Sequence, residues 1–235
     1  MEMKKILDRY NVIDNKNNRE IVLLKSFPCV WGKCAFCDYI EDNSKNTKEI
    51  IKLNKEVLSN VKGIYGVLEV INSGSVFELP KETLEEIKRI VVEKNIKKLF
   101  FEAHWCYRNR LKEIEEYFGV PIIFKTGIET FDDHFRNDIL NKNARFNDVE
   151  EVKKYFKSIC LMVGIKGQTK DMIKRDMDIL LNNFKYGTVN IWTENTTSFK
   201  RDEELIKWFE KEYSFLKDNK TIEVLFENTD FGVGD

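Results

Sequence analysis

Residues 21–39 read IVLLKSFPCVWGKCAFCDY, an apolar run of strand length followed at once by Cys29, Cys34 and Cys37 at C-x4-C-x2-C spacing. Gly32 lets the backbone turn sharply between the first two thiols. Three thiolates within nine residues can close on one face of a metal centre. A disulfide framework fails on parity, because three is odd. A zinc site needs a fourth ligand, for which Cys106 and His104 are distant candidates. A plant-type 2Fe–2S centre uses the same spacing with a fourth, remote cysteine. A 4Fe–4S cluster held by three thiolates needs no further protein ligand and leaves one iron open for a cofactor.

The chain around this stretch alternates between two periodicities. Short apolar runs at 66–73, 97–103, 121–129, 158–165, 186–194 and 221–227 read as strands. Between them, apolar residues recur at helical spacing. Ile50, Leu53, Val57, Leu58 and Val61 form one such face, and Leu84, Ile87, Ile90 and Val91 form another behind Pro80. Leu111, Ile114 and Tyr117 precede a stop at Gly119, and Phe131, Phe135 and Ile139 follow a cap candidate at Thr130. Further helices are expected at 148–156, behind Thr169 (Ile173, Met177, Leu180, Phe184) and from Asp202 (Leu205, Trp208, Phe209, Tyr213). Six strand–helix units with nearly continuous apolar strands imply a parallel sheet covered by helices, wound right-handed. The expected fold is α/β, a partial (β/α)6 TIM-type barrel rather than a full eight. In such barrels the chemistry sits at the carboxyl ends of the strands, and the three cysteines follow the first one.

With 235 residues, 42% hydrophobic and 34% charged, the chain suits one domain over 1–235. The expected lead-in is 1–20, polar and poorly specified, and a closing strand and tail occupy 221–235. A net charge of −1 supplies no global basic field to attract nucleic acid. The opening MEMKKILDRYNVID lacks the apolar run of a signal peptide, and no stretch approaches ~20 apolar residues. The expected compartment is the cytoplasm, where cysteines serve as ligands or buried thiols rather than disulfides. Cys160, inside an apolar strand, reads as a small buried hydrophobe, and Cys106 as a non-catalytic thiol. A barrel with a mouth is more than an electron carrier needs, which weighs against the ferredoxin reading.

The order of short motifs resembles the radical SAM superfamily, whose usual signature is C-x3-C-x-aromatic-C on the loop after the first strand of a partial (β/α)6 barrel. Cys34-Ala35-Phe36-Cys37 matches its second half, and the first gap is one residue longer here. Ser73-Gly74-Ser75 stands where the family has a Gly-rich motif for the amino group of S-adenosylmethionine. GIETFDDHFR (127–136) resembles the fourth-strand segment of the coproporphyrinogen-oxidase-like branch. VGIKGQT (163–169) resembles the fifth-strand segment that passes the adenine. The resemblance covers about residues 20–200. It implies a 4Fe–4S cluster on Cys29, Cys34 and Cys37, with reductive cleavage of S-adenosylmethionine. It also implies cofactor contacts at Phe36 (adenine), Ser73, Gly74, Ser75, Glu129 (ribose), Arg136 (carboxylate), Gly164 and Ile165. The implied electron donor is of the flavodoxin or ferredoxin type.

Strand-end polar residues left over are candidates for substrate and catalysis: Glu102, His104, Asn190 and Glu194, with Trp192 as an aromatic wall. Glu102 and His104 are the candidate acid–base groups. Carboxylates and amides can pair with the N–H donors of a guanine-like ring. The absence of net basicity favours a small free base over tRNA, which requires many phosphate contacts. Within the superfamily the chain is similar to a short branch related to archaeosine-synthase-like enzymes. That similarity implies a lyase releasing the side chain of a 7-deazaguanine base. The alternatives are a tRNA-modifying enzyme and an activase for a glycyl-radical protein, and the remotest is a zinc or electron-transfer binding protein.

Overall fold

The computed structural model describes residues 9–227. Residues 1–8 of the expected lead-in and 228–235 of the expected tail lie outside them. The strands are β1 (Tyr10–Ile13), β2 (Arg19–Leu24), β3 (Val67–Asn72), β4 (Lys98–Glu102), β5 (Ile122–Glu129), β6 (Ser158–Val163), β7 (Tyr186–Ile191) and β8 (Ile222–Leu225). The helices are α1 (Thr47–Leu58), α2 (Lys81–Glu93), α3 (Leu111–Phe118), α4 (Val149–Tyr155), α5 (Lys170–Asn183) and α6 (Glu203–Glu212). Strand order follows chain order from β1 to β8. The pairings β2–β3, β3–β4, β5–β6, β6–β7 and β7–β8 are parallel, as right-handed βα units require.

Two sequence expectations are corrected. Part of the lead-in is ordered: β1 pairs antiparallel with β2, with Tyr10 opposite Val22 and Ile13 opposite Arg19. The Asn-rich stretch is the turn of this hairpin, and Asn17 takes a positive φ of 42° there. The helix expected over 131–139 starts two residues later, at 133, and is mostly a π-helical turn, Phe135–Ile139. Thr130 accepts a hydrogen bond from the Asp132 amide at 3.1 Å, and Asp132 accepts from the Phe135 amide at 2.7 Å. The Asp132 bond is an N-cap, and the Asp132 carbonyl also receives the Arg136 amide at 2.9 Å, so the helical turn begins after Asp132 rather than after Thr130.

By internal packing the chain divides into two units. The first comprises described residues 9–32 and 39–124. Its sheet buries Val22, Leu24, Leu68, Val70, Leu99 and Phe101 on one face, and Ile50, Val57, Leu58, Ile87, Ile90 and Val91 of α1 and α2 are also buried. The other face carries charge: Arg19 and Glu69, both buried, form an ion pair. Glu20 receives the backbone amides of Lys62, Gly63 and Ile64 at 2.7, 2.6 and 2.9 Å, and the Tyr10 hydroxyl at 2.8 Å. Asn54 on α1 receives the Lys25 amide at 2.8 Å, returns a bond to the Lys25 carbonyl at 2.8 Å, and reaches Thr83 of α2 at 3.2 Å. The chain therefore leaves β2 in a fixed direction, just ahead of Cys29.

The second unit comprises residues 33–38 and 125–227. Ile159, Leu161, Val163 and Val189 are buried on one face of its strands. Lys125, Ser158, Cys160, Met162, Thr188 and Glu223 share the opposite face by register and are buried as well. α5 is capped by Thr169, which accepts from the Met172 amide at 3.2 Å, as its position predicts. Asp176 on α5 is buried and accepts the Phe131 amide at 2.7 Å.

Burial pushes the Asp176 carboxyl up to about 7, above its ordinary value of 3.8. The folded state thus binds this proton more tightly than the unfolded chain. The stabilisation from this group is complete below about pH 4 and is lost as pH rises toward 7, at about 1.4 kcal/mol per pH unit. Asp176→Asn keeps an acceptor oxygen without the titration. Denaturant midpoints measured from pH 4 to 8 should therefore fall more steeply for the natural protein than for the Asn variant. Parallel profiles would show that Asp176 does not titrate in this window.

Candidate functional site

In the first unit, Cys29 follows β2, and Gly32 takes the positive φ of 55° expected of a sharp turn. Ser73, Gly74 and Ser75 form the turn after β3. The Ser73 hydroxyl accepts the Ser26 amide at 3.2 Å and lies 3.2 Å from the Ser26 hydroxyl. The Ser75 hydroxyl accepts the His104 amide at 2.9 Å. His104 is buried, and its Nδ1 accepts the Cys106 amide at 3.2 Å, which places the proton of the neutral ring on Nε2. Glu102 ends β4 on the face that carries Phe100 and, by register, Glu69. Asn72 Oδ1, at the end of β3, is buried with no hydrogen-bond partner among the described residues, while its Nδ2 donates to the Ser75 carbonyl at 3.1 Å.

A residue that sequence reasoning missed ties these segments together. Glu78 is buried; its Oε2 accepts the Ser75 amide at 2.5 Å, and its Oε1 accepts the Val30 amide at 3.1 Å and the Tyr107 hydroxyl at 2.7 Å. Its backbone carbonyl also receives the Phe27 amide at 3.0 Å. One carboxylate thus holds the residue after Cys29, the Ser-Gly-Ser turn and the turn bearing Cys106. Tyr107 is stacked on Phe77 with ring centroids 4.4 Å apart. Burial and the charges of Glu78 and Cys29 push the Cys106 thiol up to about 11, so it stays protonated at neutral pH. The only sequence signal for Glu78 is its place three residues after Ser75, the spacing of a capping box. Glu78→Ala strands the buried Ser75 donor and should cost about 1–3 kcal/mol of stability, whereas Glu78→Gln retains an acceptor and should cost less. Urea unfolding of the two variants is the check, and equal stabilities would refute the role.

In the second unit, Cys34, Phe36 and Cys37 lie on the segment 33–38, which is strapped to the turn after the π-helix. The Ala35 amide donates to the Leu140 carbonyl at 2.9 Å, Asn141 Nδ2 donates to the Lys33 carbonyl at 2.7 Å, and Asn195 Nδ2 donates to the Phe36 carbonyl at 2.8 Å. The Phe36 ring packs against the buried cluster of Phe135, Leu140, Met162, Ile165 and Trp192, edge-on to Trp192 at 6.5 Å. Three residues expected at the site, Phe36, Ile165 and Trp192, are therefore brought together. Trp192 Nε1 is buried with no partner among the described residues. Asn190 shares the face of Met162 by register. Gly164 follows β6 with φ 95°, and its amide and that of Ile165 donate to Gln168 Oε1 at 2.9 and 3.0 Å. Gln168 Nε2 returns a bond to the Met162 carbonyl at 2.8 Å, so the Gln of the G-x-x-G-Q-T segment clamps this turn.

Glu129 is buried at a positive φ of 66° and is paired with Lys142 at 2.7 Å. Burial works against the Lys142 charge, but the charges of Glu129, Cys34 and Cys37 outweigh it and hold the ammonium well above the ordinary lysine range. Lys142 Nζ also lies 5.4 Å from the Phe36 ring centroid. Gly127 leaves room for the pair, because a Cβ there would come within 2.7 Å of Lys142 Nζ and closer still to Glu129 Oε1. Gly127→Ala should displace the pair and cost about 1–3 kcal/mol, the usual range for overpacking, in a thermal or denaturant melt. A melt unchanged from the natural protein would show that the pair tolerates displacement.

Two expected residues are differently employed. Arg136 is buried, and its guanidinium donates to the Ala144 carbonyl at 2.8 Å, the Thr130 carbonyl at 2.9 Å and Asp133 at 2.7 Å, over the Phe146 ring. Burial lowers its pKa against the pull of Asp133. These bonds fasten the turn that carries Lys142 rather than presenting Arg136 to a ligand carboxylate. Glu194 is exposed, paired with Lys200 at 3.0 Å, and held below the usual carboxylate range by that partner. Among the described residues no group of three or more His, Cys, Asp or Glu side chains is gathered as a metal site, and no helix is long and apolar enough to cross a membrane. None of the five cysteines is in a disulfide.

No family model matches the chain. A search of solved structures gives a queuine lyase from Clostridium spiroforme, bound to SAM and queuine, at 58% identity and a TM-score of 0.96. That match covers 97% of this chain and 100% of that one. A radical SAM methyltransferase from Sphaerobacter thermophilus is 13% identical with a TM-score of 0.62, covering 89% of this chain and 67% of that one, a likeness of fold alone. Among curated proteins, an uncharacterized protein of Methanocaldococcus jannaschii is 28% identical over 140 residues. That match covers 52% of this chain and 38% of the relative's own length. With the strand order, these likenesses establish the expected α/β fold, a partial barrel of the radical SAM kind.

Proposed function

Because the chain belongs to the queuine lyase family of radical SAM enzymes, we propose that it cleaves free queuine with S-adenosylmethionine and a 4Fe–4S cluster, releasing 7-aminomethyl-7-deazaguanine. The observation that carries the reading is 58% identity over essentially the whole of both chains to a lyase whose structure holds SAM and queuine. The residues present suit these groups. Three partly exposed thiols on one loop with a glycine turn are the donor types an iron–sulfur cluster takes, although the described side chains are not gathered as a metal site. Asn72 Oδ1 is a buried acceptor without a donor beside the Ser-Gly-Ser turn, and Trp192 Nε1 is a buried donor without an acceptor in the Phe36–Ile165 cluster. A ligand, like an ordered water, would supply the partners these two atoms lack.

In this reading Cys29, Cys34 and Cys37 hold the cluster, which with S-adenosylmethionine supplies one-electron chemistry when bound. Ser73, Gly74, Ser75 and Asn72 receive the amino group of the cofactor. Phe36, Gly164 and Ile165 provide the apolar, backbone-lined wall for its adenine. Glu129 faces the ribose, and Lys142 supplies the cation that Arg136 does not. Glu102 and Asn190 accept the ring donors of the base, Trp192 offers its indole N–H, and His104 presents an N–H at Nε2 for proton transfer. Glu194 stays with Lys200 and is left out of this set. A flavodoxin- or ferredoxin-type protein delivers the electron.

The anaerobically reconstituted protein, given dithionite, S-adenosylmethionine and queuine, should form 5′-deoxyadenosine and 7-aminomethyl-7-deazaguanine, read by chromatography with mass detection. Queuosine within tRNA should be a poor substrate, since a net charge of −1 supplies no global basic field to hold the phosphates. Replacing Cys29, Cys34 or Cys37 by Ser should abolish the brown chromophore, and replacing Cys106 or Cys160 should keep it. If 5′-deoxyadenosine rises only with intact tRNA or with a protein substrate, the free-base reading is wrong.

A further inference from the structure

We propose that Lys142 is a positioning residue for the cysteine loop, its buried ammonium acting as the resident counter-charge of Cys34 and Cys37 while its turn holds their segment in place. The inference rests on the reading that these cysteines are cluster ligands, and it goes beyond that reading by assigning the cation that sets the charge around them. The turn at 140–142 meets the cysteine segment at successive residues: Leu140 accepts from Ala35, Asn141 donates to Lys33, and Lys142 approaches the Phe36 ring between the two cysteines. Asn141 takes a positive φ of 50°, a conformation an Asn tolerates better than most residues. The Lys142 amide donates to the Arg136 carbonyl at 3.0 Å, and the Arg136 guanidinium is itself locked to backbone carbonyls. The support behind the turn is therefore rigid.

A structural role alone would need Lys142 only as the partner of Glu129. The geometry goes further, because Lys142 Nζ reaches past Glu129 to lie 5.4 Å from the ring centroid of Phe36, the residue between Cys34 and Cys37 in the chain. A buried charge is screened far less than a surface one. A cluster on three thiolates gains one negative charge on reduction, so a fixed ammonium beside two of them favours the reduced state. A single carboxylate in the same place acts in the opposite sense.

The test is the cluster's reduction midpoint, followed by anaerobic spectroelectrochemistry, with iron content and circular dichroism on the same samples. Lys142→Met keeps the length of the side chain and removes its charge; Lys142→Arg keeps the charge. The Met variant, which leaves Glu129 buried without its partner, should be less stable but still folded in the cold, with about four irons. Its reduction equilibrium should be at least tenfold less favourable, a midpoint more negative by about 59 mV. The Arg variant should stay near the natural value. Glu129→Gln, which leaves Lys142 in place, should shift the midpoint the other way. A Met variant with full iron at the natural midpoint would overturn the inference, leaving Lys142 a merely structural partner. If the Met variant folds but loses iron while the Arg variant keeps it, the inference stands. If neither Lys142 variant folds, Glu129→Gln decides: a shift to a less negative midpoint supports the inference, and an unmoved one overturns it. A natural protein that takes up no iron overturns the cluster reading, and this inference falls with it.

Discussion

A loop that presents ligands cannot be held by the ligands alone, and the one following β2 has little repeating backbone pairing of its own. Its fixity comes from side chains that leave no donor or acceptor to chance. In the first unit a single carboxylate, Glu78, receives Val30, Ser75 and Tyr107 at once. In the second unit the turn at 140–142 and Asn195 grip the segment at 33–36 through four different contacts with the loop or its ring. Each bond is of modest net value, about 0.5–1.5 kcal/mol, but leaving one of these buried groups unpaired costs more. The arrangement is therefore specified by what its absence would cost.

The same logic applies along the strands. Near the start of β2, charges are spent internally: Arg19 on Glu69, and Glu20 on three consecutive amides and a tyrosine. Buried pairs of this kind add little stability relative to apolar packing, yet losing one partner is strongly destabilising, so they enforce a unique pairing. Elsewhere along the strands the pairing is left incomplete among the described residues, at Thr126, Ser158 and Thr188 as well as at the carboxyl ends. Asn72 Oδ1 at the end of β3 and Trp192 Nε1 just after β7 have no partners among the described residues.

How legible this was from sequence depends on range. Periodicity found six helices and seven strands because each signal lies within a dozen residues, and Thr169 and Gly119 act where their local chemistry says they should. The hairpin strand β1 was hidden because its four residues, YNVI, carry no long apolar run and pair only through β2. The helix expected over 131–139 had the right apolar spacing, but its cap is Asp132 rather than Thr130, and nothing in the spacing signals the π turn at Phe135–Ile139. Cys29, Cys34 and Cys37 were conspicuous by spacing alone. Glu78 and Lys142 were not, since a buried carboxylate and a buried ammonium look in sequence like any of the 40 acidic and 39 basic residues.

Arg136 shows why a family motif does not by itself assign roles. An arginine in the expected position invites a carboxylate partner, and its fork suits one. The fork here is already satisfied by two backbone carbonyls and Asp133, and burial lowers its pKa, so a ligand could recruit it only by breaking bonds that hold the neighbouring turn. Lys142, six residues on, carries the charge into the cluster of Phe36, Glu129 and the two cysteines. The two cations act in different ways. The arginine, with its rigid planar donors, fixes backbone, while the lysine, a compact point charge on a flexible stem, delivers the field. A lysine at position 136 could not replace the arginine, because one ammonium cannot span three acceptors set around a planar fork. The turn behind Lys142 would then lose its anchor, and the field would lose its fixed position with it.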